Sequence, residues 1–182
     1  MDLLSNHATE QRQELWTFSH SLSPENPSVG IFNHPTLFYG IKLRGDQQNW
    51  LSTNVPSPNP RQGWRLKSLM IRYRTRGIEN NSFFGGIDKI GIRDGNFTLH
   101  EFAPLAKRTN NTWETLKLEL TDPKSFNFGL GVSIHVAGFI DASSFDPPNP
   151  PPEVTSIEFV SIGLEFIKSG LSGGSVFTPN SG

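Results

Sequence analysis

Apolar side chains recur at every second position along most of the chain, in short runs broken by Gly, Pro and Asn, and a period of two predicts β-strands. The clearest run is Leu66 to Arg76, where Leu69, Ile71 and Tyr73 fall on one face and Arg72, Arg74 and Arg76 on the other. Ile87 to Arg93 and Phe97 to Phe102 flank Asp94-Gly95-Asn96, a hairpin signal because Gly accepts the positive φ of a tight turn. Trp113 to Leu120 sets Leu116, Leu118 and Leu120 against Thr115, Lys117 and Glu119, with Pro123 predicted to close the strand. Gly131 to Ile140 places Val132, Ile134, Val136 and Ile140 inward and leaves Ser133 and His135 on the opposite face. In Val154 to Ile167 the apolar phase changes between Ile157/Phe159 and Val160/Ile162/Leu164/Phe166, which predicts a bulge or burial on both faces. Val29 to Phe32, Leu37 to Arg44 and Trp50 to Thr53 are shorter strand candidates. Helical periodicity is confined to the polar opening, where a turn or two can form before Leu15.

Eight or so strands with no helices between them exclude a parallel sheet, because parallel pairing needs long crossovers. The pattern predicts an all-β fold: a single-domain antiparallel β-sandwich, jelly-roll-like, with a closed β-barrel as the alternative. The proline clusters Pro56 to Pro60 and Pro147 to Pro152 cannot sit inside a sheet and read as loops, a PxxP ligand being the rival reading. The expected organisation is a polar N-terminal segment over 1–15, flexible or briefly helical, the sandwich over 16–168, and a disordered Gly/Ser-rich tail over 169–182.

Composition narrows the chemistry. Among 182 residues there is no cysteine, which removes disulfides, thiol catalysis, Cys-ligated zinc and iron–sulfur clusters. Sixteen Lys+Arg against 17 Asp+Glu give a net charge of −1, so no global field gathers nucleic acid. The opening has no basic region and no apolar stretch of signal-peptide length, and no run approaches a membrane span, so a cytoplasmic location is expected. Sequons at Asn80, Asn96 and Asn110 match what chance supplies. Of the aromatic residues 14 are Phe, four Trp and two Tyr, an interior suited to packing.

Leu43-Arg-Gly45, Asn49-Trp50 and Val55-Pro-Ser-Pro58, with Ser23-Pro24-Glu25-Asn26 before them and Gly129-Leu-Gly-Val-Ser133 after, follow one another in an ordered pattern. In these motifs, from Ser23 to Ile140, the chain resembles a microbial β-sandwich family of unknown function. The resemblance implies a compact sandwich and supplies no catalytic residues; the Pro147 to Pro152 insertion departs from it.

The five histidines, at 7, 20, 34, 100 and 135, show no metal-ligand spacing, and no metal or cofactor is expected. No GxSxG, Walker A or GxGxxG motif occurs, and Gly85-Gly-Ile-Asp88 reads as a turn. Asp94-Gly95-Asn96 supplies oxygens for calcium, but a hairpin turn accounts for all three residues. Six bases, Arg61, Arg65, Lys67, Arg72, Arg74 and Arg76, occur with no acid between them, and the last three form a guanidinium row. That row either holds an anionic or polar ligand or is paired with acids of the next strand.

Two functions follow as expectations. One is a non-catalytic recognition module, binding a carbohydrate or protein partner through Trp50, Trp64, Arg72, Tyr73, Arg74 and Arg76. The other is a cofactor-independent isomerase or cyclase, acting on an apolar, terpenoid- or polyene-like small molecule in a Phe-lined cavity with His135 or Glu158 as acid/base. Strand-edge assembly of a structural protein is a third reading.

Overall fold

The computed structural model describes residues 10–28, 31–34, 38–43, 47–76, 83–103, 105, 112–140 and 155–169. The Pro147 to Pro152 cluster, the sequons at Asn80 and Asn110 and the segments 1–9 and 170–182 lie outside them. Eleven strands are described: β1 (Glu10–Phe18), β2 (Ser23–Pro24), β3 (Ile31–His34), β4 (Phe38–Leu43), β5 (Gln48–Val55), β6 (Arg65–Arg76), β7 (Phe83–Asp94), β8 (Phe97–Phe102), β9 (Glu114–Lys124), β10 (Leu130–Ile140) and β11 (Thr155–Ser169). Only two short 3-10 turns, Ser19–Ser21 and Pro60–Gln62, interrupt them.

The strands form two antiparallel sheets, as alternation without crossover helices requires. One runs β3-β4-β11-β6-β9, with β1 also paired to β11; the other runs β2-β5-β10-β7-β8. The fold is therefore a β-sandwich, and among the described residues no barrel closes. In the first sheet β4 and β1 share one edge of β11, β4 facing its start (Thr155 to Phe159) and β1 its end (Ser161 to Ser169). The inner faces share one core that includes Ile41, Leu51, Leu69, Ile71, Ile90, Ile92, Ile134, Phe159, Leu164 and Phe166, each fully buried.

The phase change in β11 is a bulge. Phe159 pairs with Tyr73 but Ser161 with Arg72, so Val160 is the extra residue that returns Ile162, Leu164 and Phe166 to the inner face. Two expectations change. Of the polar opening, Glu10 to Leu15 are strand and not helix, and β11 extends through Ser169. In β1 only Gln13, Leu15 and Thr17 turn toward the interior, so little alternation shows, and pairing to β11 supplies its backbone hydrogen bonds. The second change is in β9, which runs through Pro123 to Lys124. As an edge strand β9 tolerates a missing N–H, and the Pro123 carbonyl accepts from Arg65 Nη2 at 2.7 Å. No helix among the described residues is long and apolar enough to cross a membrane.

Candidate functional site

The residues named from sequence divide between two opposite outer faces. Strand alternation puts Arg72 and Arg74 outside the β11/β6 sheet, whereas Trp50 and His135 sit outside the β5/β10 sheet. Tyr73 turns the other way, 6% exposed in the core and stacked on Phe159 with ring centroids 6.4 Å apart. It is therefore unable to present a ring beside the arginines. Trp64 precedes β6, packs partly against the core, and carries Lys168 Nζ 5.9 Å from its ring centroid. Of Arg76 only the backbone, at the end of β6, is described.

Within the arginine row, Arg74 is tied into the sheet by its neighbours. Arg74 Nε donates to Glu158 Oε2, with 15% and 4% of the two side chains exposed. The guanidinium carbon also lies 4.3 Å from the Trp113 ring centroid and 5.7 Å from that of Phe38. Arg74 thus spends its charge on Glu158 and on two aromatic faces. Arg72 is exposed and takes part in none of the ion pairs of the described residues. Further along this face Glu165, 4% exposed, accepts from Ser68 Oγ at 2.7 Å and faces Lys117 Nζ at 3.0 Å and Arg12 Nη1 at 3.5 Å. Burial pushes its pKa up, but the bonds from Ser68 and Lys117 and the neighbouring charges of Lys117 and Arg12 outweigh it, leaving the carboxyl below its ordinary value. Bonding to Glu165 holds Lys117 above the ordinary lysine value.

His135 and Glu158 do not meet, since each lies outside a different sheet. His135 instead forms a local dyad that the sequence alone did not reveal. The β7–β10 register slips between His135 and Val136, so Asp88 and Lys89 together oppose His135. The bulge turns Asp88 outward, and His135 Nδ1 donates to Asp88 Oδ1. With Nδ1 committed, Nε2 is the remaining polar atom of the ring. Trp50, cross-strand partner of His135, lies 4.7 Å from it between ring centroids, tilted by 47°. Among the described phenylalanines, Phe126, Phe159 and Phe166 are core, and Phe97 and Phe128 are 72% and 60% exposed.

Along the same outer face runs a cleft of about 750 Å³, whose lining includes Ser23, Glu25, Trp50, Ser52, Asn54, Arg93, Gly131 and Ser133. Register explains its shape. Ser52, Ser133 and Gly91 stand in one row across β5, β10 and β7; Asn54, Gly131 and Arg93 stand in the next. Small side chains keep the floor low, while Trp50 and Arg93 rise two rungs apart, about 13–14 Å along the strands. A smaller cleft of about 190 Å³, lined by Glu25, Asn26, Gln48, Asn49, Trp50 and His135, continues on the other side of Trp50. Asn49 fixes this end, its Nδ2 donating to Asn26 O at 2.8 Å and its Oδ1 accepting from Asn26 N at 3.0 Å. Beyond Arg93 the turn is pinned by buried Asp94, whose two oxygens accept from Asn127 N and Phe128 N at 2.7 Å each. Gly95, at φ 58°, turns the chain there as the hairpin signal predicted. No group of His, Asp and Glu suited to a metal ion occurs among the described residues.

The face therefore offers hydroxyls, amides, one guanidinium, one carboxylate and an indole around an open trough. The sequence analysis names Trp50 and His135 on this face but not Ser52, Asn54, Arg93 and Ser133; for Ser52, Arg93 and Ser133 the one signal is outward parity on predicted strands, and Asn54 lies beyond the strand expected over Trp50 to Thr53. No protein-family model matches the chain, and no curated protein matches it. Among solved structures it is similar to a low-affinity xylan-binding module, CBM86, from the gut symbiont Roseburia intestinalis, at 8% identity and a TM-score of 0.45, covering 85% of this chain and 96% of that one. A carbohydrate-binding module of family 29 aligns at 10% identity and a TM-score of 0.39, covering 84% and 89% of the two chains. A Stig cyclase, Fisc, from Fischerella sp. TAU aligns at 11% identity and a TM-score of 0.42, covering 92% of each chain. At these values the likenesses carry no information about a ligand.

Proposed function

We propose that this protein is a non-catalytic recognition module, and that it binds a carbohydrate chain along the outer face of the β2-β5-β10-β7-β8 sheet. The observation that carries the reading is Trp50 standing beside a floor of Ser52, Ser133 and Gly131. A sugar ring has apolar C–H faces and a polar rim. An indole with one open face suits the first, and hydroxyls that both donate and accept suit the second. His135, held by Asp88, braces the indole from the adjacent strand, so little side-chain freedom is lost on binding. Two charged side chains line the cleft, Glu25 near Trp50 and Arg93 at the far end, and the rest of its polar lining is hydroxyl and amide.

The test is Trp50→Ala titrated with soluble oligosaccharides by calorimetry, the ligand first picked from a glycan array with the wild-type chain. Affinity should fall at least tenfold, about 1.4 kcal/mol, with a small change in melting temperature because Trp50 is only half-buried. Unchanged affinity would remove this face as the site. Failure of the wild-type chain to bind any glycan would remove the function.

A further inference from the structure

Arg93 is the one base among the residues that line the cleft. It projects from β7 beside the cleft, opposite Gly131 on one side and Thr98 on the other. It takes part in none of the ion pairs or side-chain hydrogen bonds of the described residues, and neither Glu101 nor Glu25 forms an ion pair with it. Asp94, next in sequence, is buried with both oxygens turned to Asn127 N and Phe128 N. Glu101 stands one rung away, opposite Gly91. Glu25 lies at the Trp50 end, its backbone N donating to Trp50 O at 2.8 Å.

The space beside Arg93 is rimmed by glycine. Gly95, Gly129 and Gly131 all line the cleft there. A Cβ added at Gly129 would meet nothing within 4 Å, and one at Gly131 would meet Asn54 Oδ1 only at 3.5 Å. This end is therefore open, polar and served by one guanidinium with no carboxylate partner. A planar donor fork is matched best by an oxyanion, whose paired oxygens take two parallel N–H bonds.

Building on the proposed carbohydrate reading, we infer that the bound chain carries an oxyanion, carboxylate or sulfate, on a sugar held by Arg93 at the glycine-rimmed end of the cleft, while Trp50 stacks on a sugar about 13–14 Å away along the strands. The site is then polarised. Neutral sugar is read at the indole, and anionic sugar at the guanidinium.

The experiment compares three oligosaccharides of equal length, an oligogalacturonate, a sulfated chain and a neutral chain, titrated into the wild type, Arg93→Ala, Arg93→Lys and Arg72→Ala. The wild type should prefer one anionic ligand to the neutral one by at least tenfold, and that preference should shrink as salt rises. Whichever arm wins identifies carboxylate or sulfate. Arg93→Ala should bring the preference to about one, Arg93→Lys should fall between because its ammonium lacks the fork, and Arg72→Ala, on the opposite sheet, should keep it. A thermal melt of Arg93→Ala within about 1 °C of the wild type shows that an exposed substitution leaves the fold intact. Equal binding of neutral and anionic chains, or an unchanged preference in Arg93→Ala, overturns the inference while the carbohydrate reading stands. Absence of binding to all three chains and to the array overturns both.

Discussion

Replacing Arg74 by alanine separates a ligand-binding arginine from a structural one, because the two roles move opposite observables. The guanidinium is 15% exposed and donates to Glu158, which is 4% exposed, so removing it leaves a buried carboxylate without that donor. Breaking such a pair by deleting one partner costs about 3–5 kcal/mol. The lower end applies, because part of Arg74 remains in water. Loss of the contacts with Trp113 at 4.3 Å and Phe38 at 5.7 Å acts in the same direction. A loss of about 3 kcal/mol in a chain of this size lowers the melting temperature by about 6–12 °C, at about 2–4 °C per kcal/mol. Urea unfolding followed by tryptophan fluorescence gives the free energy, and calorimetric melting gives the temperature. Glycan affinity at the opposite sheet should stay within twofold. A double variant, Arg74→Met/Glu158→Leu, should recover most of the loss, because an apolar pair of similar volume removes the desolvation cost of both charges. If Arg74→Ala melts like the wild type and abolishes ligand binding, the structural assignment is wrong and the arginine face is the site.

Two further substitutions probe the same sheet. Glu165 has its carboxyl below the ordinary value, so its contribution is complete above the unfolded value of about 4.3 and is lost as pH falls through the lower folded value. Glu165→Gln should cost about 1 kcal/mol at pH 7 and flatten the acid limb of stability against pH; an unchanged acid limb refutes the pairing. Lys117, raised in the folded state, contributes fully below its unfolded value of about 10.4 and less as pH climbs through the folded value, so the same variant should also flatten the alkaline limb. At Gly163 an added Cβ would lie 2.6 Å from Cδ2 and Cε3 of Trp16, whose ring covers the glycine. Gly163→Ala must lift that ring, which is already 40% exposed, for about 1 kcal/mol. A red shift in tryptophan emission with a drop of about 2–4 °C in melting temperature is expected, and an unmoved spectrum counts against the contact.

Strand alternation reports which side of a strand meets the core, and it reports nothing about which of two sheets the strand joins. That limit explains what was legible here. Leu69, Ile71 and Arg72 took the faces their spacing assigned, the Asp94-Gly95 turn formed, and the change of phase in Val154 to Ile167 became the Val160 bulge. Trp50 and the arginines all face outward, yet β5 pairs with β10 and β6 with β11, so outward means opposite directions for them. Tyr73 was recruited as an aromatic neighbour although its own parity with Leu69 and Ile71 already placed it inside. The basic run caught attention because charge of one sign is conspicuous in a sequence. The pairing of Arg74 with Glu158 spans 84 positions, which local pattern does not encode. The cleft is the converse case. Ser52, Ser133 and Gly131 are unremarkable singly, and they make a floor only when register lays them side by side. Recognition on a sheet face is thus written in the pairing of strands, where a missing side chain shapes the site as much as a present one.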